Sequence, residues 1–112
     1  MSKRRVVITG LGLVCPLGST VADAWAAILR GESGIGPITR FDVSAYPTRF
    51  GGAVRGFSIE PYMSVKEARR MDEFMHYGIA AGVQAVTESG ADFDKLDRDR
   101  WGVVTGAGIG GM

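Results

Sequence analysis

The chain has 112 residues, 17 of them glycine, and balances 13 Lys and Arg against 12 Asp and Glu for a formal net charge of +1. That length supports one hydrophobic core at most, and the near-neutral charge excludes nucleic acid as a general partner, because phosphate binding needs a basic surplus. A single cysteine, Cys15, excludes an intrachain disulfide and reads as cytoplasmic.

The start, Lys3-Arg4-Arg5, is basic like a signal peptide, but only Val6, Val7 and Ile8 follow before Thr9 and Gly10. This run is too short for a secretory core or a membrane span, so the chain reads as soluble and without a membrane partner. Residues 4–9 instead predict a strand with a continuous apolar run, and Gly10, Gly12, Pro16 and Gly18 punctuate the loop after it. Ser19 or Thr20 is the candidate cap for a helix over 21–29, whose apolar positions Val21, Ala24, Trp25, Ile28 and Leu29 follow helical spacing and which Gly31 closes. Gly34, Gly36 and Pro37 mark a loop. Residues 41–57 then predict a hairpin-like excursion, with Gly51 and Gly52 as a bulge and Pro47 confining any strand there to an edge.

Ser64 with Glu67 forms a Ser-x-x-Glu capping box and opens the clearest helical stretch, 65–89, ended by Gly90. Asp72 is a candidate cap for a second helix, so the stretch reads as one helix or a pair. Ala68, Met71, Met75, Ile79, Gly82, Val83 and Val86 mark its apolar face, and Gly78 and Gly82 on that face predict a close helix contact. Residues 91–100 are charged and read as a solvated connection. A strand over 101–105 follows, buried on both faces through Val103 and Val104, and runs into Gly106, Gly108, Gly110 and Gly111. The order favours an α/β fold with a mainly parallel sheet covered by helices. A strand that enters a glycine-rich loop with no helix to cover it predicts a piece of a larger fold, prone to aggregation when alone.

Gly10-Leu11-Gly12 after a strand matches only part of a dinucleotide fingerprint, because Cys15 stands at the third glycine position and no acidic ribose partner follows. A tight strand-exit loop accounts for it better. Cys15 as a nucleophile needs a base, and the one histidine, His76, lies on another segment. A lone histidine makes no metal site, so no metal and no cofactor are expected. Lys66, Arg69 and Arg70 differ in kind: spacings of three and four gather them on one surface, where the helix dipole disfavours cations. An acidic partner is one reading of that cluster, and a face neutralised by Glu67, Asp72 and Glu73 is the other.

Four motifs in order, Arg-Arg-Val-Val-Ile-Thr-Gly-Leu-Gly (4–12), Phe-Asp-Val-Ser-Ala-Tyr (41–46), Lys-Glu-Ala-Arg-Arg-Met-Asp-Glu-Phe-Met (66–75) and Gly-Ala-Gly-Ile-Gly-Gly (106–111), resemble the N-terminal part of β-ketoacyl-acyl carrier protein synthases. With Ile109 in the glycine loop, the similarity is greatest to type II. The resemblance implies an incomplete N-terminal domain over 1–112, within the N-terminal half of a thiolase-like αβαβα layered fold. It also implies a cytoplasmic homodimer that joins an acyl group to malonyl-acyl carrier protein with loss of CO2 in fatty acid elongation.

By the same resemblance the catalytic cysteine and two histidines match nothing in this chain. Cys15 and His76 correspond to none of them, and the chain is expected to be inactive by itself. Lys66, Arg69 and Arg70 fall on the patch that docks the acidic acyl carrier protein, and Ile109 falls on the gate of the acyl pocket near the dimer interface. Ala107 stands where many relatives have serine. A noncatalytic carrier-binding module, or a partner like a chain-length factor, is the alternative.

Overall fold

A computed structural model describes residues 3–111. Helix α1, Val21–Leu29, starts where the Thr20 hydroxyl accepts the Asp23 N–H and donates to the Asp23 carboxylate at 2.7 Å. Arg30 ends it, and Gly31 follows at φ +70°, the left-handed exit that glycine adopts without a steric cost. The helix buries Ala24 and Ala27, while Trp25, Ile28 and Leu29 stay exposed. Of the predicted apolar positions, then, only Ala24 reaches the core. Gly18 explains the closeness of this packing, because a Cβ there would meet the Ala24 backbone nitrogen at 2.7 Å.

The hairpin forms with its first strand earlier than expected. Strand β1, Ile35–Pro37, pairs antiparallel with β2, Phe50–Gly52, with Gly36 opposite Gly51. Within the stretch read as a loop, Ile35–Pro37 is therefore strand, although glycine and proline disfavour one. The Arg55 guanidinium lies over Gly36, in the space a Cβ would take. Between the strands, residues 38–49 make a long turn, held by the Arg49 guanidinium donating to the Ser44 and Tyr46 carbonyls.

The long helical stretch resolves into two helices. Helix α2, Val65–Ala68, starts at Ser64, whose hydroxyl accepts the Glu67 N–H and donates to the Glu67 carboxylate at 2.6 Å. Asp72 is extended (ψ 156°), so the backbone breaks there before α3, Glu73–Ser89, which ends at Gly90 with φ +65°. His76 ties the two together, its Nε2 lying 2.9 Å from the Ala68 carbonyl. The connection after α3 is folded rather than free: a 3-10 turn at Arg98–Arg100 is capped by Asp97, Arg98 pairs with Asp94 at 2.7 Å, and Phe93 packs edge-on against Trp101 at 5.0 Å.

Two expected strands do not form. Residues 4–9 and 101–105 have no regular secondary structure and make no ladder, and β1–β2 is the one sheet among the described residues. A strand is a pairwise object, and neither segment has a neighbour to bond. Their apolar side chains are consequently exposed, Val6 by 93% and Val104 by 99%. The expected parallel sheet is absent among the described residues, and the buried core consists of Ala24, Ala27, Ala68 and Ala80. The Cα radius of gyration is 17.6 Å, against about 13 Å for a compact domain of this length. What remains is an α/β arrangement of three helices and a small sheet, with α3 as its axis.

Candidate functional site: the junction of α2 and α3

One face of α3 is closed by the loop after residue 9. A Cβ on Gly10 or Gly12 would fall inside the Ala85 and Ala81 carbonyls, so only glycine lets the loop lie on the helix. Two side chains one turn apart fasten it. Glu88 accepts the Leu11 N–H, and Gln84 accepts the Leu13 N–H at 3.2 Å. The Gln84 amide also donates to the Ser19 carbonyl at 2.7 Å and the Tyr62 hydroxyl at 2.9 Å, joining three segments. Gly10 and Gly12 thus serve helix packing. Cys15 sits half-buried in a turn that it closes with Gly18 through paired backbone hydrogen bonds.

The opposite face is open. Met75, Ile79, Val83 and Val86 line an apolar cleft of about 690 Å³ whose far wall is Phe93, Val103 and Thr105–Ala107. Gly78 and Gly82 border this cleft, and a Cβ on either would meet nothing within 4 Å. The close contact predicted at these two glycines therefore falls on the other side of the helix, where the glycines belong to the loop.

The basic cluster sits at the break between α2 and α3. Lys66, Arg69 and Arg70 are all exposed, and among the described residues none takes part in an ion pair. Of the carboxylates that sequence spacing offered as neutralising partners, only Glu73 is in an ion pair among the described residues, and that is with a residue outside the cluster. Glu67 is held by Ser64, Glu73 is paired with Arg40, and Asp72 lies against Gly111. The Arg40 guanidinium, with the Tyr77 hydroxyl beside it, holds the Glu73 carboxyl below its ordinary range. Burial, then the neighbouring Glu73 carboxylate, pushes the Tyr77 hydroxyl up to about 12. Glu73 is a committed carboxylate. Sequence spacing carries no sign of Arg40, since it lies 33 positions away.

The glycine loop reaches the same junction. Gly110, at φ +78°, lies over the Phe74 ring, and Gly111 abuts Asp72. Ile109, just before them, is 75% exposed and is not part of the cleft wall. The structure thus brings the end of the loop beside the cation cluster but leaves the Ile109 side chain in solvent. His76 is committed to the Ala68 carbonyl, and among the described residues no three His, Cys, Asp or Glu side chains converge as a metal site would require.

The family model described as beta-ketoacyl synthase, N-terminal domain, matches residues 3–112. A 3-oxoacyl-[acyl-carrier-protein] synthase 2 of Vibrio cholerae is 53% identical over 112 residues, covering 100% of this chain and 27% of that protein. The chloroplastic 3-oxoacyl-[acyl-carrier-protein] synthase I of Hordeum vulgare is 48% identical, covering 98% and 25%. Among solved structures, the ishigamide ketosynthase/chain length factor superposes with a TM-score of 0.71 at 31% identity, over 85% of this chain and 24% of that one. The chain therefore spans about a quarter of the length of the relatives it matches.

Proposed function

Because this chain belongs to the beta-ketoacyl synthase family, through its N-terminal domain, we propose that it is part of a condensing enzyme of fatty acid elongation. The reaction joins an acyl group to malonyl-acyl carrier protein: loss of CO2 leaves a carbanion-like carbon, which attacks the cysteine-bound thioester, forms the C–C bond and releases the thiolate. The enzyme works as a cytoplasmic homodimer, the state the resemblance implies. This stretch supplies recognition, and its own residues hold the carrier rather than the reacting atoms.

The observation that carries the reading is the exposed cation cluster Lys66, Arg69 and Arg70, none of which is in an ion pair among the described residues. Three exposed cations on one surface raise the encounter rate with an acidic carrier protein and fix its orientation. The test is steady-state turnover of the full-length enzyme with the charges reversed, Lys66→Glu, Arg69→Glu and Arg70→Glu. The expected result is a KM for malonyl-carrier raised on the order of tenfold or more, with kcat kept. An unchanged KM returns the cluster to a solvated face.

Ile109 is the proposed acyl gate. It is an exposed apolar side chain flanked by Gly108 and Gly110, and a Cβ on Gly108 would meet nothing within 4 Å. In the gate role it turns into the acyl pocket, where Ile109→Phe would overfill apolar space at a cost of about 1 to 3 kcal/mol. Acylation of the full-length variant should fall with increasing acyl length, and a uniform loss at every length would assign Ile109 to packing alone.

A second reading draws on the solved relative whose title pairs a ketosynthase with a chain length factor. In that reading the protein binds the carrier without reacting. Incubation of the full-length protein with acyl-carrier separates the two, since only a condensing subunit becomes acylated on a cysteine.

A further inference from the structure

We propose that Arg40, on the turn between β1 and β2, is a positioning residue for carrier docking: by pairing with Glu73 it keeps that carboxylate from offsetting the cations at the α2–α3 junction. The inference rests on the docking reading above and adds to it a residue outside the cluster. Glu73 follows Arg70 by three positions and Arg69 by four, across the break at Asp72. Three residues span at most about 11 Å even when extended, comparable to the roughly 8 to 10 Å over which salt at physiological strength screens a charge. A free Glu73 would therefore subtract from the field that Arg69 and Arg70 present. Arg40 removes that subtraction through its guanidinium on the Glu73 carboxylate, and the half-buried Tyr77 packs beside the pair. Glu67 bonds only the neutral Ser64 hydroxyl and keeps its charge, and Asp72 has no ion pair among the described residues. Of the three acids beside the cations, Arg40 thus offsets one, Glu73.

The test is stopped-flow association of the full-length enzyme with acidic acyl carrier protein over a range of salt concentrations. Arg40→Ala should slow association roughly two- to fivefold at low salt, the size of one exposed charge interaction, and should flatten its salt dependence. Glu73→Gln should speed it, and Arg40→Ala with Glu73→Gln should restore the wild-type rate and salt slope. Arg30→Ala, which breaks another exposed pair with Glu32, should change neither. An unchanged rate in Arg40→Ala overturns the proposal. So does a double variant as slow as Arg40→Ala, which would make Arg40 a direct carrier contact or a fold determinant, and so does an equal loss in Arg30→Ala, which would make the effect one of total charge. The Lys66, Arg69 and Arg70 reversal run alongside separates the two levels. If it too leaves association unchanged, the docking reading fails and Arg40 with it, whereas a slowed reversal beside an unaffected Arg40→Ala overturns only the role given to Arg40.

Discussion

The two long faces of α3 differ in composition, one small and polar and the other apolar, and have opposite fates. The face with Ala81, Gln84, Ala85 and Glu88 is closed by the loop at Gly10 and Gly12, and the face with Met75, Ile79, Gly82 and Val86 opens on the apolar cleft. Apolar character alone would have closed the second face first. Closure instead follows where backbone can come near and where polar groups find partners: small helix residues opposite loop glycines, with Gln84 and Glu88 receiving the loop's N–H groups. The difference teaches that a glycine's neighbour decides its role. On the loop, glycine is a contact. On the open face of the helix, it is a cost in backbone entropy with no contact in return.

Substitution of these glycines breaks or sharpens that contrast. The largest effect is expected at Gly12→Val, whose Cβ would fall 1.8 Å from the Ala81 carbonyl oxygen. Overpacking against backbone should cost about 3 kcal/mol or more, read as a lowered melting temperature of the full-length protein. A melting temperature within a degree of wild type would mean that the loop does not lie on α3. Gly82→Ala should do the opposite, because its Cβ meets nothing and the residue is inside a helix. The expected gain is about 0.5 to 1 kcal/mol, and destabilisation there would show that the cleft is filled in the full-length protein.

The smallest expected effect concerns the Arg40–Glu73 pair. The Glu73 carboxyl is held below its ordinary value of 4.5 by Arg40 and then by Tyr77. A lowered folded-state pKa gives stability that is present above the unfolded value and is lost as pH falls through the folded one. Wild type should therefore lose this contribution on acidification below about pH 4.5, and Arg40→Ala should lack the Arg40 share of it. With the Glu73 side chain 45% exposed, solvent screening limits the contribution to about 0.5 kcal/mol or less. Parallel acid-unfolding curves for the two proteins would contradict the pairing.

Local signals in the sequence were legible where a feature depends on residues near one another. The caps at Thr20 and Ser64, the glycine exits at Gly31 and Gly90, and the break at Asp72 all sit where short-range chemistry puts them. Features that depend on distant partners were not. Residues 4–9 and 101–105 have strand composition, yet no ladder forms without a neighbour, and β1 was hidden by glycine and proline that are tolerated because Arg55 and β2 surround them. At the junction, Lys66, Arg69 and Arg70 were visible from spacing, whereas the engagement of Glu73 by Arg40 was not, since nothing local links positions 40 and 73. Gln84 left a faint mark, a polar residue one turn from Glu88 and flanked by alanines at one-turn spacing.

The central claim is that the acidic carrier docks at the α2–α3 junction, and photocrosslinking tests it most directly. A benzophenone amino acid in place of Val65, exposed on α2 beside Lys66 without being one of the cations, should capture acyl carrier protein when placed in the full-length enzyme. The same group in place of Leu29, more exposed on α1, is the control. The account predicts a carrier adduct from position 65 that disappears at high salt, and none from position 29. No adduct at 65, or equal adducts at both positions, would contradict it.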